Sequence, residues 1–362
     1  MLTACGRSPS SPPAAAPSHT TPSAVVPAAT SNAEKKTATK AEGIADDVPH
    51  GQTAACLAQR ATAQTQTQPV EVHHWVDASG ITHYSDQAPA SSGAVKDYRV
   101  LKVEGLPPVR ITASGYDANL PDNVQQRAVA DVLGVERIFA DMLNVRSPDM
   151  VELQVVFVRD ADAYAKLLGD PVLATSTGAY STAKRTIYVR TQEQDEVSFA
   201  VLRHEITHAL IYESIGNLPI GLNEGLAEYF GRHRIGGTGG QIDAEAYRKT
   251  IIAAAPTEDG SDALADLLAR EGTSFYAVAG DTSGREQRYA RAYALIALLM
   301  SDTSGRTALS GILAAQSADP CRPVDAGALL NDRYPGGVAA LTKAWVAFMR
   351  DPPAAQNAAL AQ

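Results

Sequence analysis

Two histidines and a glutamate stand at metal-binding spacing in the segment His204-Glu205-Ile206-Thr207-His208. On a helix, residues four apart lie one above the other on the same face, so one zinc ion can take a nitrogen from each ring. Glu205 lies close to that face, where its carboxylate can reach a water on the metal. The pattern predicts a zinc site in which His204 and His208 are ligands and Glu205 is the general base.

A second acidic motif, Asn223-Glu224-Gly225-Leu226-Ala227-Glu228, begins fifteen residues after His208. Glu224 and Glu228 are four residues apart and share a helix face. We expect one of them to complete a set of three protein ligands and leave the fourth position open. The other is expected to lie behind it and accept the ring N–H of a ligand histidine. Spacing alone leaves open which glutamate takes which role.

The sequence around the two histidines predicts the helix that their chemistry requires. Acidic residues at Asp195 and Glu196 suit its beginning, and Gly216 suits its end. Apolar residues that suit a buried helix flank the motif on both sides, at Val197, Ala200, Val201, Leu202, Ala209, Leu210, Ile211 and Ile215. The alternative is a core helix whose histidines bond only to neighbouring side chains. That alternative is disfavoured, because burying this many polar groups without a metal costs several kcal/mol.

The elements predicted around this helix indicate an α+β fold class. Strands are expected at 109–112, Val151–Val158 and Thr186–Val189, and helices at Asp122–Leu143 and Asp160–Leu168. Further helices are expected around 243–255, 261–270, 286–301 and 336–350. The prediction is a small mixed sheet over the catalytic helix, with a mostly helical C-terminal part.

The two motifs together resemble those of gluzincin metallopeptidases, the group that includes thermolysin and aminopeptidase N. They are more similar still to bacterial peptidase-like envelope domains in which Glu-Gly-Leu-Ala-Glu-Tyr follows a Pro-containing loop, and Leu218–Phe230 carries that match. The resemblance implies a zincin-like fold and hydrolysis of peptide bonds, with Glu205 activating a zinc-bound water. It assigns Glu224 as the third zinc ligand and Glu228 as the residue that orients His204. The gap between the motifs is shorter than in thermolysin, so the connecting loop must be tighter.

The same resemblance implies two further parts of an active site. Gluzincins use a tyrosine or histidine to stabilise the oxyanion, and Tyr289, Tyr293 and His233 are the candidates. A strand beside the catalytic helix forms one wall of the cleft in that group, which points to Tyr180–Arg190 and to a peptide or protein substrate bound by strand addition.

The N-terminal part predicts a cell-envelope location. Leu2-Thr3-Ala4-Cys5 resembles a bacterial lipobox, which implies a periplasmic or outer-membrane-anchored lipoprotein with lipid on Cys5; the alternative is a chance match. The rest of 1–48 is dominated by Ala, Pro, Ser and Thr, as expected of a disordered linker. Within 49–108, Trp75-x-Asp-x-x-Gly80 and Tyr84-Ser-Asp-x-x-Pro89 predict a β-hairpin and resemble a small domain that begins proteobacterial envelope proteins. The catalytic domain is expected over 109–350, followed by a tail over 351–362.

The composition and charge of the chain argue against some classes of binding partner. A net charge of −9 and the lack of a basic block argue against nucleic acid, and no run of 18 apolar residues is present, so membrane contact is expected only through Cys5. The sequence gives no indication of an oligomeric state. None of the three cysteines has metal-ligand spacing, and Cys56 and Cys321 either form a disulfide or remain thiols.

Two alternative functions remain at this point. One is a non-catalytic envelope protein that binds peptides or cell wall, and the other is a zinc amidase that acts on peptidoglycan peptides. Glu205 favours chemistry over binding, because a scaffold that only binds metal has no need of a base there.

Overall fold

From residue 109 onward, strands and helices are interspersed as far as Arg190, and the described residues after it form helices alone. The protein is represented by a computed structural model that describes the residues 70–76, 82–85, 95–103, 109–116, 119–146, 151–169, 176–232, 244–269, 275 and 282–353. Over these ranges the chain forms seven strands in two small sheets and ten helices. The mixed α/β character and the mostly helical C-terminal part are therefore confirmed.

A three-stranded antiparallel sheet comes first, with β1 (Val70–Val76) between β2 (Thr82–Ser85) and β3 (Lys96–Val103). Trp75 pairs with His83 across β1 and β2, as the hairpin prediction requires. The turn expected between these strands lies outside the described residues.

The second sheet has four strands in the order β4-β5-β7-β6. They are β4 (Arg110–Gly115), β5 (Glu152–Val158), β6 (Gly178–Ser181) and β7 (Thr186–Arg190). The first three in that order run parallel, while β6 lies antiparallel to β7 at one end of the sheet. A mixed sheet was predicted, and β6 is the strand that makes it mixed.

Three helices pack against this sheet, and a fourth packs against the third of them. The three are α1 (Asp122–Leu143), α2 (Ala161–Leu168) and α3 (Asp195–Ser214), and the fourth is α4 (Ile220–Gly231). Successive side chains of β5 point to opposite faces of the sheet. Leu153, Val155 and Phe157 lie in the main core with residues of α1 and α3. Val158 lies on the other face, in a smaller cluster with Tyr164 of α2. Because both faces are covered, β6 and β7 are buried almost throughout, and α3 lies directly against both strands.

The described residues of the C-terminal part form six helices, in agreement with the four or more expected. They are α5 (Ala244–Ala254), α6 (Ser261–Ala269), α7 (Thr282–Ser301), α8 (Thr303–Ala318), α9 (Ala326–Arg333) and α10 (Gly337–Arg350). Two of the six, α8 and α9, lie outside the ranges that were named. Trp345 of α10 is fully buried, and its indole N–H donates to the Arg291 carbonyl oxygen of α7 at 3.2 Å. Helix α4 packs on α7, so this part forms the floor beneath the second motif.

Predictions at the two ends of the chain fall largely outside the described residues. The linker 1–48 with Cys5, and the tail beyond residue 353, are among them. Cys321 is disulfide-bonded, which excludes a free thiol at this position; the other cysteines, Cys5 and Cys56, lie outside the described part. Within the described ranges, every helix is too short or too polar to cross a lipid bilayer.

Candidate metal centre

The two sequence motifs lie on neighbouring helices joined by a short turn. Helix α3 carries His204, Glu205 and His208, and α4 begins after Pro219 and carries Glu224. Gly216 makes the turn possible, because its φ of +111° is one that other residues rarely adopt. The turn rests on the chain that follows α8: Asn217 donates its backbone N–H to the Pro320 carbonyl oxygen at 2.8 Å.

Three potential ligand atoms converge where the helices face each other. Nε2 of His204 lies 3.1 Å from Nε2 of His208. The two carboxylate oxygens of Glu224 lie 3.6 Å from the first nitrogen and 3.5 Å from the second. Glu224 is fully buried, and His208 is nearly so. The structure thus brings together the three residues that were predicted to hold the metal.

The donor set of this cluster suits a zinc site. Zinc–ligand bonds of about 2.0–2.1 Å at tetrahedral angles separate the ligand atoms by about 3.3–3.4 Å. The two nitrogens lie 3.1 Å apart, and each lies 3.5–3.6 Å from a different oxygen of Glu224; one ligand atom from each residue lies within 4.8 Å of the others. Two imidazoles and one carboxylate are also the donor set of several catalytic zinc sites. The residues present therefore fit zinc in number and chemistry.

Each histidine has a partner on the ring nitrogen that faces away from this cluster. Nδ1 of His208 lies 3.1 Å from Oδ1 of Asn223. An amide oxygen can only accept, so Nδ1 carries the hydrogen and Nε2 presents its lone pair to the cluster. Nδ1 of His204 lies 3.4 Å from Oε1 of Glu228. Such partners fix the ring orientation and tautomer of a ligand histidine.

The electrostatics of the cluster favour a positive charge at its centre. Burial would lower the pKa of His204, but hydrogen bonds to Glu224 and Glu228 raise it to about 10. Burial lowers the pKa of His208, so this ring is neutral. Burial would raise the pKa of Glu228, but the Arg232 guanidinium holds it well below its usual range. A site that stabilises a proton between carboxylates is also suited to a cation, which displaces that proton on binding.

Glu205 lies beside strand β6. Its side chain is buried, and it approaches Gly178 so closely that a Cβ at that position would be 2.7 Å from both Cγ and Oε1 of Glu205. Val201, one turn earlier on α3, leaves equally little room, at 2.5 Å from the same Cβ position. The absence of a side chain at Gly178 therefore lets the backbone of β6 lie directly over the carboxylate.

A buried ion pair connects helix α3 to its neighbours. Arg203, next to His204, donates to Oδ2 of Asp131 on α1 at 2.9 Å and to the Gly231 carbonyl oxygen of α4 at 3.2 Å. Both charged side chains are almost completely buried. Burial raises the pKa of Asp131 and lowers that of Arg203, and their mutual attraction only partly offsets this. The pair fixes the relative positions of α1, α3 and α4.

Of the three residues predicted as possible oxyanion donors, two lie within the described part of the chain. Tyr293 is buried and lies against the rings of Tyr229 and Tyr247, and Tyr289 packs edge-on against Phe275. Both tyrosines therefore take part in the apolar packing of the helical part. His233 lies outside the described residues.

The motifs missed several residues that the structure places around the cluster. Asn223 lies within the second motif, so the sequence did indicate it as a possible partner of His208. Arg232 is four residues after Glu228, the spacing of an ion pair on a helix, which was also visible. Asp131 gives no such signal, since it lies 72 residues before Arg203.

No protein-family model and no curated protein matches this chain.

Proposed function

We propose that this protein is a zinc-dependent hydrolase of peptide bonds, of the gluzincin type, with a zincin-like arrangement of its sheet and catalytic helix. The observation that carries the proposal is the convergence of His204, His208 and Glu224 within 4.8 Å of one another, next to the buried carboxylate of Glu205. Glu205 acts electrostatically on His204, and a site that only stored metal would not require such a buried acid–base group beside it.

His204, His208 and Glu224 would hold the zinc through Nε2, Nε2 and a carboxylate oxygen. Zinc, when bound, supplies a Lewis acid that polarises a carbonyl group and brings the pKa of water toward neutrality. Asn223 and Glu228 orient the two rings. Glu224 is proposed as the ligand rather than Glu228, because both its oxygens face the histidine Nε2 atoms, whereas Glu228 faces Nδ1.

Glu205 is the proposed general base and then general acid. Its carboxylate takes a proton from the attacking water and passes that proton to the nitrogen of the leaving amine. Burial of this side chain removes competing solvent, and the backbone of β6 restricts where the carboxylate can move. Together these constraints hold the proton acceptor in one place relative to the substrate.

Strand β6 is the proposed wall of the substrate cleft. Arg190 donates its backbone N–H to the Thr177 carbonyl oxygen at 2.8 Å, which sets the alternation of the antiparallel β6–β7 pair. By that alternation, the main-chain groups of Gly178 and Tyr180 point away from β7, and on that side the Gly178 carbonyl oxygen accepts from the Ser176 hydroxyl at 2.7 Å. An extended peptide that paired with β6 on that side would pass directly beside Glu205.

The disulfide at Cys321 supports the proposed envelope location. Disulfides form and persist in oxidising compartments such as the bacterial periplasm. The proposed substrates are accordingly peptides or proteins of that compartment.

The test measures zinc content and peptide hydrolysis for the full chain and for Glu205→Gln. The expected result is one zinc per chain in both, with kcat lowered about 10²–10⁴-fold in the variant. Glu196→Gln, an exposed change on the same helix, is the matched control and should keep full activity. A peptide library and peptidoglycan fragments are assayed in parallel, so that amidase activity is detected if present. Undiminished turnover by Glu205→Gln would disprove the proposed base.

A further inference from the structure

The carboxylate of Glu228 is divided between two partners. Its Oε1 faces Nδ1 of His204 at 3.4 Å, while its Oε2 accepts from Arg232. The side chain is buried, so contacts with protein neighbours, these two among them, determine its orientation. Which oxygen faces the histidine, and at what angle, therefore depends on how firmly the other oxygen is held.

Arg232 holds Oε2 through two nitrogens of the same guanidinium. The distances are 2.6 Å from Nη2 and 3.0 Å from Nε. The backbone of Arg232 is held in place, because its N–H donates to the Glu228 carbonyl oxygen at the end of α4. Two contacts from one planar group restrict rotation in a way that a single contact does not.

Helix α5 holds the guanidinium itself. The central carbon of Arg232 lies 3.3 Å from the centre of the Tyr247 ring, and the Tyr293 ring of α7 is 6.0 Å away. The arginine side chain is only 10% exposed, so this stacking takes place away from solvent, where cation–π contacts are strongest. A chain of contacts thus runs from α5 through Arg232 and Glu228 to His204.

We infer that Arg232 is a positioning residue for the metal site: it fixes Glu228 so that His204 presents Nε2 to zinc, and Tyr247 fixes Arg232 in turn. This inference rests on the proposed function only in requiring that zinc binds at His204, His208 and Glu224. It adds a residue outside both sequence motifs, and a second helix, to the machinery that sets zinc affinity.

Zinc affinity of the full chain tests this role directly, by competition with a chromophoric chelator. Arg232→Met is expected to weaken zinc binding about 10-fold, within the range seen when partners of ligand histidines are lost. Arg232→Lys keeps the charge but loses the planar contact with Tyr247, and it is expected to weaken binding severalfold. The lysine variant also serves if the methionine variant does not fold.

Coupling to Glu228 separates positioning from general stability. In a Glu228→Gln background, Arg232→Met should cause no further loss of zinc affinity, because the arginine acts through that carboxylate. The matched control is Arg291→Met: Arg291 of α7 donates to the Ala254 carbonyl oxygen at 2.8 Å, at the end of the same helix that carries Tyr247. This variant should lower thermal stability and leave zinc affinity unchanged.

Two results would overturn the inference while leaving the proposed function intact. One is unchanged zinc affinity in both Arg232 variants of a zinc-binding protein. The other is an equal fold-loss from Arg232→Met with and without Glu228, which would show that the arginine acts by another route. A wild-type chain that binds no zinc would overturn the inference and the proposed function together.

Discussion

Replacing Gly178 with alanine tests how closely strand β6 lies over Glu205. The added methyl group would be 2.5 Å from Cγ1 of Val201 and 2.7 Å from Cγ and Oε1 of Glu205. Ordinary contacts of a Cβ begin at 3.4 Å, so either β6 or the glutamate has to move by about 0.7–0.9 Å to relieve the overlap. Gly178 has no positive φ, so contact alone and not backbone strain accounts for the effect.

The expected loss falls on turnover rather than on metal binding. Overpacking of this kind costs about 1–3 kcal/mol of stability. A displacement near 1 Å of a reacting group can reduce the rate about 10²-fold. The three atoms nearest the new methyl group belong to Val201 and Glu205 and not to the proposed ligands, so zinc content should stay at the wild-type level.

The assay compares kcat/KM, zinc content and thermal stability of Gly178→Ala with those of Gly327→Ala. Gly327 lies on α9, where an added Cβ meets only Oδ1 of Asp325 at 3.4 Å, so this control should behave as wild type. Wild-type kcat/KM in Gly178→Ala would refute the placement of Glu205 beneath β6. If zinc and activity were lost together, the substitution would have displaced the zinc ligands as well. That result would contradict the expectation that only Glu205 and β6 are displaced.

Two further sets of variants probe the contacts that support the helices carrying the proposed ligands. Removing only one member of the buried pair, by Asp131→Leu or Arg203→Met, should destabilise the fold by about 3–5 kcal/mol, because it leaves a buried charge without its counter-ion. The double variant should be far closer to wild type in chemical denaturation, and a strictly additive loss would contradict this account. Asn223→Ala should weaken zinc binding about 10–100-fold, because Nδ1 of His208 loses the acceptor that fixes its tautomer. Equal zinc affinity in the competition assay would show that Asn223 does not set that tautomer.

The convergence of the cluster was foreseeable because its determinants are local. Helix periodicity alone puts His204 and His208 on one face, and Glu224 follows after a turn too short to carry it far away. The zinc itself, the assignment of Glu224 as ligand and the hydrolytic function stay predictions. Helix α1 was also predicted with the observed bounds, Asp122–Leu143, since its apolar positions repeat cleanly.

The elements that were missed lack a local signal. Strand β6 has only four residues, and all are buried, so it shows no alternation of apolar and polar positions. Helices α8 and α9 were not predicted, although α8 has sixteen residues; small and hydroxyl residues such as Ser304, Gly305 and Ser310 interrupt its apolar pattern. The stacking of Arg232 on Tyr247 joins residues on either side of a segment that the structure does not describe, and no spacing rule would connect them.

The turn between α3 and α4 is supported by residues about a hundred positions later in the chain, which limits how far the chain can be truncated. Gly216 lies against Pro320, Asn217 bonds to the same residue, and Ser317 donates its hydroxyl hydrogen to the Ser214 carbonyl oxygen at the end of α3. A fragment that stopped soon after the second motif would retain every residue in the motifs and still lack the support beneath the bend. The minimal unit that can be expressed and expected to hold its centre together therefore extends past Cys321, about a hundred residues beyond the motifs themselves.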